Sequence, residues 1–262
     1  MEIESAADFV RMTRGVLLAA GFVRRERDGV VWFESATRAR TIVLIHGVND
    51  QAGTWFTIAP TLARDARVIL PDLAGHGESE PKDGPLPISL LVERLHAVLA
   101  DERDLTLAGN SLGGWIAMLY TLGHPARVKH LVLEASGGLS LPFASPVIAR
   151  DRDEAMLILR NVHGPRYQPQ EWVIEALLAR AAGSQMLRVT ETAEHVVDAR
   201  LHEIRVPTTI VWGADDGVLP LSYAQTLQRG IAGAKLHVIE GAAHIPHMQQ
   251  AEKVLACLTS IF

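Results

Sequence analysis

Cysteine is almost absent from this chain of 262 residues: Cys257 stands alone, which excludes an intramolecular disulfide and any thiolate metal site. It follows Val254 and Leu255 in a helical pattern, where a thiol reads as a small buried apolar residue. Positive charge is also in deficit. Lys and Arg number 25 against 30 Asp and Glu, a net charge of -5, and no basic cluster carries interleaved aromatics. That balance argues against nucleic acid or an anionic membrane surface as partner. No apolar run is long enough to span a bilayer, the stretch from Gly15 to Val23 being too short. The opening Met1-Glu2-Ile3-Glu4, with Asp8 following, lacks the positive region of a signal peptide, so a cytoplasmic location is expected. Internal repeats and low-complexity segments are missing as well.

What is present is the composition of an ordinary globular protein, 48% hydrophobic and 21% charged, with length for one large domain spanning 1–262. Short runs rich in Val, Ile and Leu recur at Val30–Phe33, Thr41–His46, Arg67–Leu70, Leu105–Ala108, His130–Leu133, Thr208–Trp212 and Lys235–Ile239. From Thr41 onward they lack in/out alternation, as strands of a parallel sheet covered on both faces should. Helical patterns fall between them at 8–20, Trp55–Arg64, Ser89–Ala100, Gly113–Leu122, Leu221–Arg229 and Ala251–Ile261. The alternation predicts an open, doubly wound, mostly parallel α/β fold whose ligand site lies beyond the carboxyl ends of the strands. One connection breaks the rhythm. Residues 137–205 hold no strand-like run, and three helices are expected there: one from Arg152 with Asp151 as its cap, one over Pro169–Arg180, and one from Ser184 to about Val197. An insertion of that length between two core strands reads as a helical lid.

The chemistry-bearing residues cluster at predicted strand ends. Gly109-x-Ser111-x-Gly113 lies between a strand and a helix, a turn that exposes one hydroxyl beside a helix N-terminus. After Thr208–Trp212 come Asp215 and Asp216, and after Lys235–Ile239 comes His244. After Thr41–Ile45 comes His46-Gly47-Val48-Asn49, whose backbone amides can point into the same crevice. A nucleophile, a base, an orienting acid and oxyanion donors are what acyl transfer through serine requires.

On these residues the chain resembles the α/β-hydrolase superfamily. His46-Gly47 is similar to its oxyanion loop, Asp72-Leu-Ala-Gly-His-Gly-Glu-Ser79 to a turn after the next strand, Gly109-Asn-Ser-Leu-Gly-Gly114 to its nucleophile turn, and Trp212-Gly-x-x-Asp-x-x-x-Pro220 to its acid loop. The resemblance implies Ser111 as nucleophile, His244 as base and Asp216 as the orienting acid, with Glu134 at the other strand end where some members carry the acid. It implies the N–H groups of Val48 and Leu112 as oxyanion donors, a structural role for Asp72 and His76, and no cofactor or metal. His247 follows His244 by three residues, but Pro246 intervenes and no carboxylate motif joins them. Asn49, Trp115, Leu139, Phe143, Met156 and Ile245 are expected to line the substrate pocket.

Serine at the nucleophile position argues against the dehalogenases and epoxide hydrolases of this fold, which use aspartate. The apolar lid suits an acyl chain, and its helix spacing resembles the monoacylglycerol-lipase-like branch of serine esterases. Hydrolysis of short- to medium-chain carboxylic esters is therefore expected, the partner being a small-molecule ester. The Gly-Asn-Ser-x-Gly-Gly turn also occurs in C–C bond hydrolases, which typically carry tryptophan directly after the catalytic histidine; here Ile245 follows. A ligand sensor of the same fold is the reading from another class.

Overall fold

The computed structural model describes residues 3–144, 146–259 and 261. Eight strands make its main sheet: β1 Val23–Arg27, β2 Val30–Glu34, β3 Thr41–Ile45, β4 Arg67–Pro71, β5 Leu105–Asn110, β6 Val128–Glu134, β7 Thr208–Gly213 and β8 Lys235–Ile239. Their spatial order is β1-β2-β4-β3-β5-β6-β7-β8. The pairs β1·β2 and β2·β4 are antiparallel and every other pair is parallel.

The uninterrupted apolar strands are explained by two cores, one on each face. Along β3, Val43 and Ile45 enter one cluster while Ile42 and Leu44 enter the other. The first cluster is closed by α2 (Ile88–Val98), α3 (Leu112–Gly123) and α6 (Leu221–Gly230), and the second by α1 (Ala6–Ala19) and α7 (Ala251–Thr259). Each fully buried Leu, Ile or Val contributes about 1.5–3 kcal/mol, so both faces of a central strand are held strongly. Cys257 is buried in the second core.

Two stretches depart from the expected pattern. Strand β1 reads Val-Arg-Arg-Glu-Arg and is exposed throughout, so it has no apolar face to announce it. It forms the sheet edge, where charged side chains discourage pairing with other chains. The helix expected over Trp55–Arg64 is a 3₁₀ turn, Ala52–Thr57, followed by one α turn, Ala59–Leu62, at Pro60.

Between β6 and β7 the chain leaves the sheet and builds α4 (Arg152–His163) and α5 (Glu171–Arg180). Asp151 caps α4, its Oδ1 accepting the Glu154 N–H at 2.9 Å. These helices share a small cluster of their own, Ala149, Ala155, Ile158, Leu159 and Ile174. The third expected helix does not form. Gln185–Arg188 is one helical turn, Val189–Thr190 pairs with Leu86–Pro87, and Glu191 adopts φ 60°, a left-handed conformation that a helix cannot continue through.

Candidate active site

Register aligns the strand ends that matter. Ile45 pairs with Gly109, Asn110 with Glu134, Glu134 with Val211, and Gly213 with Ile239. The turns that follow β3, β5, β7 and β8 therefore emerge side by side at one edge of the sheet.

Ser111 ends β5 and opens α3 at φ 53° and ψ -117°, a strained conformation for a residue with a Cβ. Its N–H donates to Glu134 O at 3.0 Å, and its own carbonyl accepts from Gly114, Trp115 and Gly137. The main chain thus over-determines the strain, while Oγ has no hydrogen-bond partner among the described residues. Gly113 is obligatory here: a Cβ at that position would lie 2.1 Å from Ile45 O.

His244 and Asp216 meet across the β7 and β8 loops, with His244 Nδ1–H donating to Asp216 Oδ2 at 2.9 Å. Asp216 Oδ1 accepts the N–H groups of Val218 and Leu219, each at 2.9 Å, so the carboxylate is locked in orientation. With Nδ1 as the donor, Nε2 of the neutral ring is free to accept a proton. Asp215 is exposed and takes no part in this contact; its N–H donates to Ala242 O.

The loop after β3 sits against the serine. A Cβ built on Gly47 would lie 3.3 Å from Ser111 Cβ, so only glycine permits this approach without displacement. His46 is buried, its Nε2 accepting the Leu73 N–H at 3.0 Å, which leaves Nδ1–H to donate to Gly47 O at 2.7 Å. Gly47 C=O and Val48 N–H belong to one planar trans peptide and point oppositely. Holding the carbonyl toward His46 therefore turns the Val48 N–H away from that ring. No described hydrogen bond engages the Val48 or Leu112 amide.

Asp72 and His76 shape the neighbouring turn. Asp72 is fully buried and accepts the N–H groups of Ala52 and Glu78 at 2.6 and 2.7 Å. His76 donates from Nδ1 to Ala74 O at 3.0 Å, and burial, with His46 beside it, pushes its pKa down to about 3.

Glu134 pairs with His247. Its Oε1 accepts the His247 N–H at 2.8 Å and its Oε2 the Nδ1–H at 2.6 Å. Trp55 lies against the same imidazole at 4.1 Å between ring centroids. Because Glu134 O also holds the Ser111 N–H, one residue braces both the serine turn and the histidine loop. Asn110 completes the brace, with Nδ2 donating to His244 O at 2.9 Å and Glu134 O at 3.4 Å. The sequence marks each of these groups separately but carries no sign that they meet.

The expected pocket residues scatter. Leu139 is buried in the core, its N–H donating to the Tyr223 hydroxyl at 2.6 Å, and Ile245 is buried beside His244. Trp115 donates its indole N–H to His195 O in the lid at 2.9 Å. Met156 packs on the lid's own cluster. Phe143 is 48% exposed, so its ring faces solvent instead of roofing a pocket. Asn49 spends its side-chain carbonyl on the lid, accepting from Ser184 Oγ at 3.0 Å and Gln185 N at 2.8 Å.

The lid is also tied to the acid and histidine loops. At the carboxyl end of α4, Asn161 O accepts the Gly217 N–H at 3.1 Å and Val162 O the His244 N–H at 3.0 Å. His163 O accepts from Gln249 Nε2 at 2.6 Å. Among the described residues no helix is long and apolar enough to cross a membrane.

The chain and its fold have relatives among known proteins. The model of the family described as "Alpha/beta hydrolase family" matches residues 42–256. Monoacylglycerol lipase abhd6-A of Xenopus laevis is 23% identical, over 84% of this chain and 74% of the relative. The 2-hydroxymuconate semialdehyde hydrolase of Pseudomonas sp. (strain CF600) is 29% identical, over 81% of this chain and 83% of the relative. The crystal structure of carboxylesterase CesB from Bacillus subtilis superimposes with a TM-score of 0.77 at 18% identity, covering 98% of both chains. On the extent of the family match, together with its sheet order and strand-end loops, this chain belongs to the α/β hydrolase family.

Proposed function

We propose that the protein is a serine hydrolase of carboxylic esters with short- to medium-chain acyl groups, monoacylglycerol-like esters among them. The observation that carries the reading is the Asp216–His244 hydrogen bond, made by a carboxylate already fixed by two backbone N–H groups, on loops adjoining a strained serine with an unpartnered hydroxyl.

In this mechanism Ser111 Oγ attacks the ester carbonyl carbon as its proton passes to His244 Nε2. Asp216 holds the imidazole in the required tautomer and stabilises the imidazolium. The N–H groups of Val48 and Leu112 receive the developing oxyanion, the kind of contribution whose loss costs roughly 10²–10³ in kcat per donor. His244 returns the proton to the leaving alkoxide, and the acyl-enzyme is released by water deprotonated through the same ring. The chemistry calls for no metal or cofactor.

C–C bond hydrolysis is the second reading, and Asn110 gives it no separate support. Its two amide hydrogens go to main-chain carbonyls, so its place in the serine turn is explained by scaffolding alone.

A fluorophosphonate ester should label Ser111, and Ser111→Ala should abolish both labelling and turnover of p-nitrophenyl butyrate. Absence of labelling in the wild-type protein would defeat the nucleophile assignment. Labelling with ester turnover far slower than cleavage of a vinylogous diketone would assign C–C bond hydrolysis instead. Labelling with neither activity would point to a ligand sensor.

A further inference from the structure

Asn49 belongs to the sheet-borne loop, yet every hydrogen-bond partner described for it comes from the lid. Its carbonyl oxygen accepts from Arg180 Nη1 at 2.6 Å, and its Oδ1 accepts from Ser184 Oγ at 3.0 Å and Gln185 N at 2.8 Å. Its backbone is left-handed, at φ 61°. Asparagine tolerates that region better than most residues, but it is still held there by its partners.

The position of these bonds matters because Val48 precedes Asn49. On one side of Val48 the Gly47–Val48 peptide is held from the core by His46 Nδ1–H. On the other side the Asn49 carbonyl and side chain are held from the lid. The lid segment is itself anchored: Arg188 donates to Gly84 O, Pro81 O and Asp83 O, each at 2.8 Å. Ser184 Oγ also caps the turn Gln185–Arg188 by accepting the Met186 N–H at 3.3 Å. The Val48 N–H is therefore suspended between a core clamp and a lid clamp.

We infer that Asn49 is a positioning residue through which the docked lid segment 180–185 sets the direction of the Val48 N–H. The oxyanion hole is complete only while that segment is seated. Displacing it frees the Asn49 backbone from the left-handed region and lets the adjoining peptides rotate. The catalytic consequence rests on the serine-hydrolase reading; the mechanical coupling does not.

The test compares Asn49→Gly, Asn49→Asp, Ser184→Ala and the double variant Asn49→Gly/Ser184→Ala with the wild-type protein. Asn49→Gly keeps the left-handed backbone accessible and removes only the side-chain latch. Its kcat on p-nitrophenyl butyrate should fall about tenfold with KM within about twofold, a misdirected donor costing part of what a deleted one costs. Asn49→Asp retains both acceptors and should stay within about twofold of wild type. Ser184→Ala should lower kcat alone but add nothing to Asn49→Gly, since their shared bond is already gone. Amide hydrogen exchange over residues 47–50 should accelerate in Asn49→Gly and in Ser184→Ala.

An unchanged kcat in Asn49→Gly, or additive losses in the double variant, overturns the inference. If Asn49→Gly does not fold, Ser184→Ala decides from the lid side, and unchanged exchange over 47–50 overturns it. A wild-type protein that is neither labelled nor active defeats the hydrolase reading instead, and the exchange measurement then judges the coupling by itself.

Discussion

The sheet and the lid reach the same small region by different kinds of bond. On the sheet side the key contacts are made by particular side chains: Asp216 to His244, His46 to Gly47 O and Leu73 N, Glu134 to His247. On the lid side there are two kinds: segment 180–188 uses the side chains of Arg180, Ser184 and Arg188, whereas the carboxyl end of α4 and His195 use main-chain carbonyls. Asn161 O and Val162 O receive the Gly217 and His244 N–H groups, His163 O receives Gln249, and His195 O receives Trp115. The first kind demands a residue type at a position. The second is offered by any residue, because every peptide carries an acceptor and the last four carbonyls of a helix have no partner within it. Along α4 the lid can therefore change its side chains without losing its grip on the Asp216 and His244 loops, a freedom that segment 180–188 lacks.

The largest expected effect tests the sheet side. Asp216→Asn keeps the shape of the carboxylate but disturbs the tautomer it imposes on His244, and kcat should fall by on the order of 10⁴. Asp215→Asn, one residue away and exposed, should leave kcat within about twofold. Steady-state kinetics on p-nitrophenyl butyrate checks both. A large loss in Asp215→Asn with little in Asp216→Asn would reverse the proposed assignment.

The contrast between bond types also explains what was legible beforehand. The order of strands and helices could be read from uninterrupted apolar runs because both sheet faces are covered. The Asp216–His244 contact could be read because both residues follow strand ends, with Asp216 chosen over Asp215 only by the resemblance of Trp212-Gly-x-x-Asp-x-x-x-Pro220 to the family's acid loop. The edge strand Val23–Arg27 could not, having no apolar residue after Val23. Nor could the chain from Ser184 to Val197, where helix-forming composition is overruled by bonds to Asn49 and by the left-handed Glu191. Asn49 is expected in the pocket because loop position does not reveal that its side-chain carbonyl is taken by the lid. Glu134 and His247 are 113 residues apart, and no local periodicity links them.

A middle-sized effect comes from two imidazoles, one on each side, His76 buried and His163 half-buried. His163 closes α4 in the lid and stacks on Tyr167 at 4.2 Å; burial pushes its pKa down to about 4, against an opposing pull from Asp50. His76 lies in the turn after β4, held at about 3. Both are neutral in the fold but take a proton near 6.5 in an unfolded chain. Below about 6.5 the unfolded state therefore binds more protons, so stability is lost as pH falls, through about 4 for His163 and about 3 for His76. From about 6.5 to 4 the two imidazoles cost the fold equally, so the lid, resting on a small cluster of its own, should open before the sheet when amide hydrogen exchange is followed from pH 6 to pH 4. His163→Asn should remove the lid's share of that response. Lid and sheet giving way at one pH in both proteins would mean that they unfold as a single unit.

The smallest change probes the same question most finely. Trp115→Phe preserves an aromatic ring against the core and removes only the N–H that reaches His195 O. One such bond is worth about 1 kcal/mol. If the lid opens on its own, that energy appears only in its local opening equilibrium, and exchange of the amides near His195 should quicken about fivefold while those of the central strands stay unchanged. If opening of the lid requires the Asp216 and His244 loops to part as well, the bonds from Asn161 O and Val162 O must break in the same event. The loss would then be shared, and exchange would quicken equally in the lid and in residues 216–219 and 244–249. Equal acceleration in the central strands too would abolish the distinction between lid and sheet altogether. The pattern of exchange, more than its size, decides whether the lid is a cover that lifts or a wall of the site.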